Sequence, residues 1–398
     1  NFGILAMSLP QQSSQQVLIM VNYGYQDELN SPKQLLQRYF MLGSWLASCQ
    51  QLGAKAYLFQ RFHSDHHLEY NGIDCYFIRD RLPAKPRPYH ISLRFHQRIK
   101  QTLTAAGIHI RRGTSAVCVH MHSLLFPLCC RHLQKILGQP IKWVLQHHAE
   151  QPEGVWLKIF SPWANKYIDG FFFSNKVLAR DWIKTKAVKA KQVFEVMECS
   201  SNCAAQEQAE ARKALQQHGS PLLLWTANLD ENKDPLTILS AFTAFRQLYP
   251  QSRLLMLFRF SPLLEKVQEK IAADSDLSSS VSLLGQVGYQ EISAYYSAAD
   301  IFVQGSHREG SGIAILDALA CGAIPVVTDI PSFNTLTGNG SVGALWPCGD
   351  DQALLQALLA LMAKDLPKER AACIELFQRC WSQEKIAAKA MEVYFDAD

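Results

Sequence analysis

The sequence predicts an α/β fold arranged as two domains. Residues 301–330, IFVQGSHREGSGIAILDALACGAIPVVTDI, read as an apolar strand and a loop of small residues (Gly305, Ser306, Gly310, Ser311, Gly312). A helical run closing at Gly322 and a second buried strand, IPVVT, follow. That is one βαβ unit. Short apolar runs alternate with helical segments over the rest of the chain, and 398 residues are too many for one ordinary core.

Taken in order, VLIMV (17–21) is a buried strand ending in Asn22-Tyr23-Gly24-Tyr25, and a helix from Pro32 to Leu52 follows, with Gly53 as its stop. AYLFQ (56–60) is a second strand, and residues 61–90 read as irregular. Three histidines and an aspartate in RFHSDHHLEY (61–70) lack the spacing of a common metal site, so no metal is expected there. RDRLPAKPRPYH (79–90) is a basic, proline-rich loop, and LRFHQRIKQTL (93–103) is a basic amphipathic helix that suits either an anionic surface or plain solvent. AVCVH (116–120) leads to His120, Met121, His122 and Ser123; IKWVLQ (141–146) leads to His147-His148-Ala149-Glu150. Ligands of open α/β sheets bind beyond the carboxyl ends of the strands, so both tips point at one place. Two histidines in a polar loop end remain the plain alternative.

GFFFSN (170–175) and VFEVMECSSN (193–202) close the first half, and residues 204–220 read as a helix-rich linker. The second half opens on PLLLWTANLDENKDPLTILSAF (221–242), continues through the strand VSLLGQVG (281–288) and the helix ISAYYSAADIFV (292–303), and ends in a helical tail interrupted near Pro367.

Hydrophobic content of 48% with 19% charged residues is ordinary for a globular chain. No run of 18 apolar residues occurs, so no membrane span is expected. The opening NFGILAM lacks a basic n-region and reads as a frayed end rather than a signal peptide. Eleven scattered cysteines suit a reducing, cytoplasmic setting better than a disulfide framework. The net charge of +4 hides an asymmetry: residues 1–200 carry 24 Lys and Arg against 12 Asp and Glu, and the remainder 15 against 23. A basic first half can meet an anionic membrane face, a diphosphate-linked lipid or an acidic glycan, or can simply be solvated.

The small-residue loop at 305–312 opens a helix, whose first turn offers unpaired N–H groups and partial positive charge, so an oxyanion such as phosphate is its natural guest. Glu309 and Asp317 flank it, eight positions apart. On spacing alone they suit two sets of sugar hydroxyls, or a helix cap and a solvated carboxylate.

This stretch resembles the donor-site signature of retaining GT-B glycosyltransferases of family 4: an acid, seven residues, a second acid, then a small-residue turn and a PVV strand. Here the elements are Glu309, GSGIAIL and Asp317, where the family usually has Glu, followed by ALACGAIPVVTDIPSF (318–333). The resemblance implies two Rossmann-like domains facing across a cleft. Their bounds are set here at 1–203 (acceptor side) and 204–380 (nucleotide sugar), with 381–398 a last helix returning to the first domain. It further implies that Glu309 lies at the donor sugar, that Asp317 binds ribose hydroxyls, and that the diphosphate sits at Gly310, Ser311 and Gly312. The family's lysine is retained as Lys233, but Asn228 stands where it has a cationic arginine. Arg259 and Arg308 are substitutes by position. By the same resemblance the backbone at Gln286 and Val287 reads the base, Ser174 is the usual serine at its strand tip, Gly24 lies near the cleft, and His148, with His147 as alternative and His122 nearby, faces donor or acceptor.

The expected reaction moves a sugar from a nucleotide diphosphate donor to a glycan, lipid-linked or other hydroxyl acceptor with retention, needing no metal and no cofactor. Catalysis would rest on Glu309, His148 and Lys233. Peripheral contact with the inner face of a membrane is part of the expectation. Two rivals stay open: an impaired nucleotide-sugar-binding partner subunit, suggested by the lost arginine, and a GT-B epimerase or phosphorylase. A nicotinamide enzyme is disfavoured because no G-x-G-x-x-G follows the opening strand, and nucleic-acid binding because no aromatic-interleaved basic motif occurs.

Overall fold

The computed structural model describes residues 15–108, 115–138, 140–148, 150–288 and 291–395. The opening NFGILAM and Ala149 lie outside these residues. Two compact units emerge. One gathers the described residues up to Phe172, Asp181–Phe194 and the described residues from Ala387; the other gathers Phe173–Arg180 and Glu195–Ile386.

The first unit is built on a sheet in the order β3-β4-β2-β1-β5-β6-β7-β8. Its strands are β1 (Gln15–Asn22), β2 (Lys55–Phe62), β3 (His66–Tyr70), β4 (Ile73–Arg79), β5 (Ser115–His122), β6 (Lys142–Gln146), β7 (Gly170–Phe173) and β8 (Val193–Glu195). Neighbours from β4 to β7 are parallel, and β3 joins β4 antiparallel. Strands covered on both faces must be apolar throughout, which is why Val17–Val21 form an unbroken buried run. Helices α1 (Pro32–Arg38), α2 (Phe40–Gln51), α3 (Leu93–Ala105), α4 (Pro127–Leu137) and α5 (Val155–Ala164) belong to this unit.

Two expectations need correction here. Residues 61–90 are not irregular: β3 and β4 form a hairpin closed by Asn71-Gly72, both at positive φ (51° and 76°), the backbone a two-residue hairpin turn requires. The Asn-Gly pair was the available signal. The helix expected over Pro32–Leu52 breaks at Tyr39 into α1 and α2, while Gly53, at φ 100°, ends α2 as expected. Helix α3 buries its apolar stripe of Phe95, Ile99 and Leu103 and turns Arg94, Arg98 and Lys100 outward, with Leu93 exposed at its start. Among the described residues no cluster of His, Cys, Asp and Glu is arranged to hold a metal ion, and no helix is long and apolar enough to cross a membrane.

The second unit carries a parallel sheet ordered β11-β10-β9-β12-β13-β14. Its strands are β9 (Leu222–Thr226), β10 (Arg253–Leu257), β11 (Val281–Gly285), β12 (Ile301–Gln304), β13 (Ile324–Thr328) and β14 (Ala344–Trp346). The chain starts at β9, winds outward through β10 and β11, then returns to β12 on the other side. The crevice where the winding reverses, at the carboxyl ends of β9 and β12, is where open α/β sheets receive ligands. The segment read as a linker is part of this unit: Arg212 of its helix Gln208–Ala214 pairs with Asp300 at 2.6 Å. Pro367 lies in the first turn of helix Leu366–Leu376, where its missing N–H costs nothing. In helix Gln383–Phe395, Tyr394 is buried in the first unit, where its hydroxyl accepts a hydrogen bond from Trp45 Nε1 at 3.2 Å.

Candidate active site

A cavity of about 330 Å³ opens at the switch point of the second sheet. Each wall comes from the residues just beyond a strand: Ala227 and Asn228 after β9, Phe258 and Arg259 after β10, Gln286 and Val287 after β11. Gln304 ends β12, and Glu309 with Gly312, Ile313 and Ala314 brings in the start of helix Ile313–Cys321.

Two loops define the charged floor. Residues 228–234 dock on residues 305–309: His307 N donates to Asn232 O (2.8 Å), Arg308 N to Asn232 Oδ1 (3.1 Å), and Asn232 Nδ2 to Arg308 O (3.0 Å). The approach depends on Gly305, because a Cβ there would lie 3.2 Å from Asp234 O and 3.3 Å from Lys233 O. It carries Lys233 Nζ onto the Glu309 carboxylate in an ion pair whose side chains are only 16% and 14% exposed. Glu309 Oε1 also accepts from Ser306 Oγ at 2.8 Å and Gln304 Nε2 at 3.3 Å, so the carboxylate is held on several sides. Ser332 Oγ donates to Glu309 O and Ser174 Oγ to Gly310 O, both at 2.7 Å, fixing the backbone that enters the helix. Gly312 is required twice: its φ is +60°, and a Cβ would meet Leu336 at 2.8 Å.

Of the residues anticipated for a donor, Asn228, Lys233, Gln286, Val287, Glu309 and Gly312 line this cavity. Arg308, Gly310, Ser311 and Asp317 are not part of its lining. Arg308 has its backbone tied to Asn232, while Arg259, the other candidate for the missing arginine, lines the cavity with an exposed side chain. Asp317 sits one turn further along the helix and accepts from Ser201 Oγ at 2.5 Å. Burial raises its pKa to about 6, against the opposing hydrogen bonds from Ser201 and Cys203. Gln304 and Ser306 were not anticipated as supports of Glu309; neither residue type carries a signature, and only the loop's fold brings them to it.

A second cavity, of about 350 Å³, lies in the first unit at the equivalent switch point, where β1 and β5 part. Asn22 ends β1 and Gly24 follows it, His122 ends β5 and Ser123 follows it, and His148 and Glu150 follow β6. His122 Nδ1 and His148 Nε2 are 2.9 Å apart with their rings stacked, and His120 stacks on His122. Burial, then the neighbouring imidazoles, push His122 well below the ordinary histidine pKa; burial and His148 push His120 down to about 3. Both are therefore neutral near pH 7. Of the two adjacent histidines, His148 lines the cavity, whereas His147 is buried with Nε2 2.8 Å from Glu150 O. Asn22, Ser123 and Glu150 were missed as wall residues, although the strand-end rule that selected the histidines applies to them equally.

Residues 206–377 match the family model of glycosyl transferases group 1. That span lies within the second unit. Over 336 residues the chain is 27% identical to a phosphatidyl-myo-inositol mannosyltransferase of Mycobacterium leprae, covering 78% of this chain and 81% of that relative. Matches to two further curated relatives span 47% and 42% of their lengths. Among solved structures, a glycosyltransferase of Rickettsia africae superposes with a TM-score of 0.71 at 14% identity, covering 96% of this chain and 98% of that one. The HepE protein of Anabaena, in complex with UDP and glucose, gives 0.64 at 14% identity, covering 95% and 99%. These likenesses establish the fold as GT-B, with two Rossmann-like domains.

Proposed function

We propose that the protein is a metal-independent, retaining glycosyltransferase that uses a nucleotide diphosphate sugar. The observation that carries this reading is the convergence, in one cavity, of Lys233, Arg259, the start of helix Ile313–Cys321 and the Glu309 carboxylate. The cations and the helix N-terminus answer a diphosphate; the carboxylate answers sugar hydroxyls. Gln286 and Val287, at the far strand end, are suited to the base. Asp317 is reserved for the ribose side, reached through the first turn of the helix.

In this mechanism the bond from the anomeric carbon to the diphosphate oxygen breaks while the acceptor oxygen bonds the same face of that carbon. The acceptor proton passes to the departing phosphate, and the negative charge left there is stabilised by Lys233, Arg259 and the helix dipole. That is stabilisation aimed where charge develops, with no protein nucleophile. The cavity of the first unit, with His148 and neutral His122 on its wall, is assigned to the acceptor, a glycan or lipid-linked alcohol. The lipid-directed name of the Mycobacterium leprae relative supports that class. Arg259 also weakens the case for an impaired partner subunit, because it returns a cation to a cavity that Asn228 leaves with one fewer.

A thermal-shift panel of UDP, GDP, ADP and their sugar conjugates tests the donor site. A ligand at about 100 times its Kd adds roughly 2.7 kcal/mol of stability. One base diphosphate and its conjugates should stand out, Lys233→Ala should abolish the shift, and Arg259→Ala should weaken diphosphate affinity about tenfold, the loss of one charge-assisted contact. No shift with any nucleotide would refute the donor site. Binding without sugar transfer or hydrolysis would favour the partner-subunit reading.

A further inference from the structure

Helix α5, VWLKIFSPWA, is turned inside out. The side it presents to its own unit carries Leu157, Ser161 and Ala164, all buried. The side it presents to solvent carries Val155, Trp156, Ile159 and Trp163, exposed by 68, 51, 55 and 50%. A helix on a globular surface normally places its polar face outward, and four large apolar side chains on one exposed stripe mark an interaction surface. The surface continues to either side. Tyr89 packs edge-on against Trp156, with ring centroids 5.7 Å apart, and brings the loop that exposes Ile91 and Leu93 alongside. At the other end Tyr167, itself 45% exposed, follows the helix.

The charges around this stripe are mostly positive. Arg131 lies over the rings of Tyr167 (4.2 Å) and Trp163 (5.7 Å), and Lys166 over Tyr167 (5.7 Å). Arg87 Nη1 donates to Tyr89 Oη at 3.1 Å, and Lys158 is exposed on the helix itself. Two exposed carboxylates belong to this segment. Asp169 turns Oδ2 back to Trp143 N, at 2.8 Å, and Glu153 precedes the helix.

We infer that α5 and the loop at 87–93 dock the protein on an anionic lipid bilayer. The aromatic rings would enter the interface at headgroup depth, and the flanking cations would sit among the acidic headgroups. Tryptophan and tyrosine favour that depth because each joins an apolar body to a polar tip. Apolar insertion and basic attraction together are what a surface-lying helix needs for stable, reversible attachment. The inference uses none of the donor-site residues, and its test needs neither nucleotide nor turnover.

The test is co-sedimentation of the full chain with vesicles of phosphatidylcholine alone or with about one-third phosphatidylglycerol, read together with tryptophan emission. Trp45, Trp143, Trp182, Trp225 and Trp346 are buried and Trp381 is half-buried, so the part of a blue shift that the Trp156→Ser/Trp163→Ser variant loses reports on those two rings. The protein should bind the anionic vesicles with a blue shift. The Trp156→Ser/Trp163→Ser variant should partition at least tenfold less, with an unchanged melting temperature. Lys158→Glu/Lys166→Glu should weaken anionic binding by about 25-fold or more, since each basic residue near the surface contributes about fivefold. Failure of the wild type to bind anionic vesicles overturns the inference, as does equal binding by either variant. A wild-type dimer that the tryptophan variant converts to monomer, without vesicle binding, would make the face a protein interface instead.

Discussion

Replacing Glu309 with glutamine separates the two tasks assigned to the donor cavity. In the free protein Glu309 holds the Lys233 ammonium, with both side chains about five-sixths buried. An incoming diphosphate must therefore compete with a carboxylate for its cation, and must itself settle beside that carboxylate. Two unit charges about 4 Å apart at an effective dielectric of 20 interact by about 4 kcal/mol before desolvation is counted. Desolvation offsets much of this, leaving a net effect of about 1–2 kcal/mol for a pair that keeps some solvent. The substituted amide retains an acceptor for Ser306 and loses only the charge. Nucleoside diphosphate affinity should therefore rise by about tenfold, a change of about 1.4 kcal/mol. Sugar transfer should fall by about 10²-fold or more, because the carboxylate expected at the donor sugar is gone. The ligand-free protein should lose about 1–2 kcal/mol of stability, recovered once diphosphate re-pairs Lys233. Titration calorimetry with the diphosphate and with its sugar conjugate, alongside a product assay, measures all three. Were Glu309→Gln to weaken diphosphate binding as far as Lys233→Ala does, the pair would be a structural clamp and the assignment of Lys233 to phosphate would fail.

Two further outcomes follow from the same geometry. Asp317, with its pKa raised to about 6 in the fold, binds more protons folded than unfolded, so its contribution to stability falls as pH rises from about 4 through 6 and is flat above. Asp317→Asn should match the wild type near pH 4 and exceed it by about 2–3 kcal/mol at pH 8, and parallel denaturation curves at both pH values would show no such divergence if the carboxylate were well solvated. His148→Ala should lower transfer by about 10²-fold while leaving nucleotide affinity unchanged; His147→Ala should instead lower the melting temperature, because that ring is buried and bonded to Glu150 O.

Much of this protein was legible in its sequence because the signals are local. The βαβ unit at 301–330, the helix stop at Gly322 and the buried runs of β1, β12 and β13 are periodicities and turn chemistry that the chain carries within a few residues. Glu309 and His148 could be placed because one stands in a small-residue loop and the other just past a strand end, while Lys233 was named through the resemblance to the family's donor-site pattern. The missed hairpin of β3 and β4 was also local; Asn71-Gly72 announced it, and the surrounding histidines and charges concealed the alternation.

Tertiary structure decided the rest, because it turns on which side chains meet across long sequence distances. The choice of Arg259 over Arg308 as a cation for the cavity depends on where β10 ends beside β9, a strand well upstream in the chain. The tether of Asp317 to Ser201 and the docking of Asn232 on Arg308 join segments 116 and 76 residues apart. The outward apolar face of α5 is likewise invisible in a helical wheel, which shows that a stripe exists without showing which side the core will take.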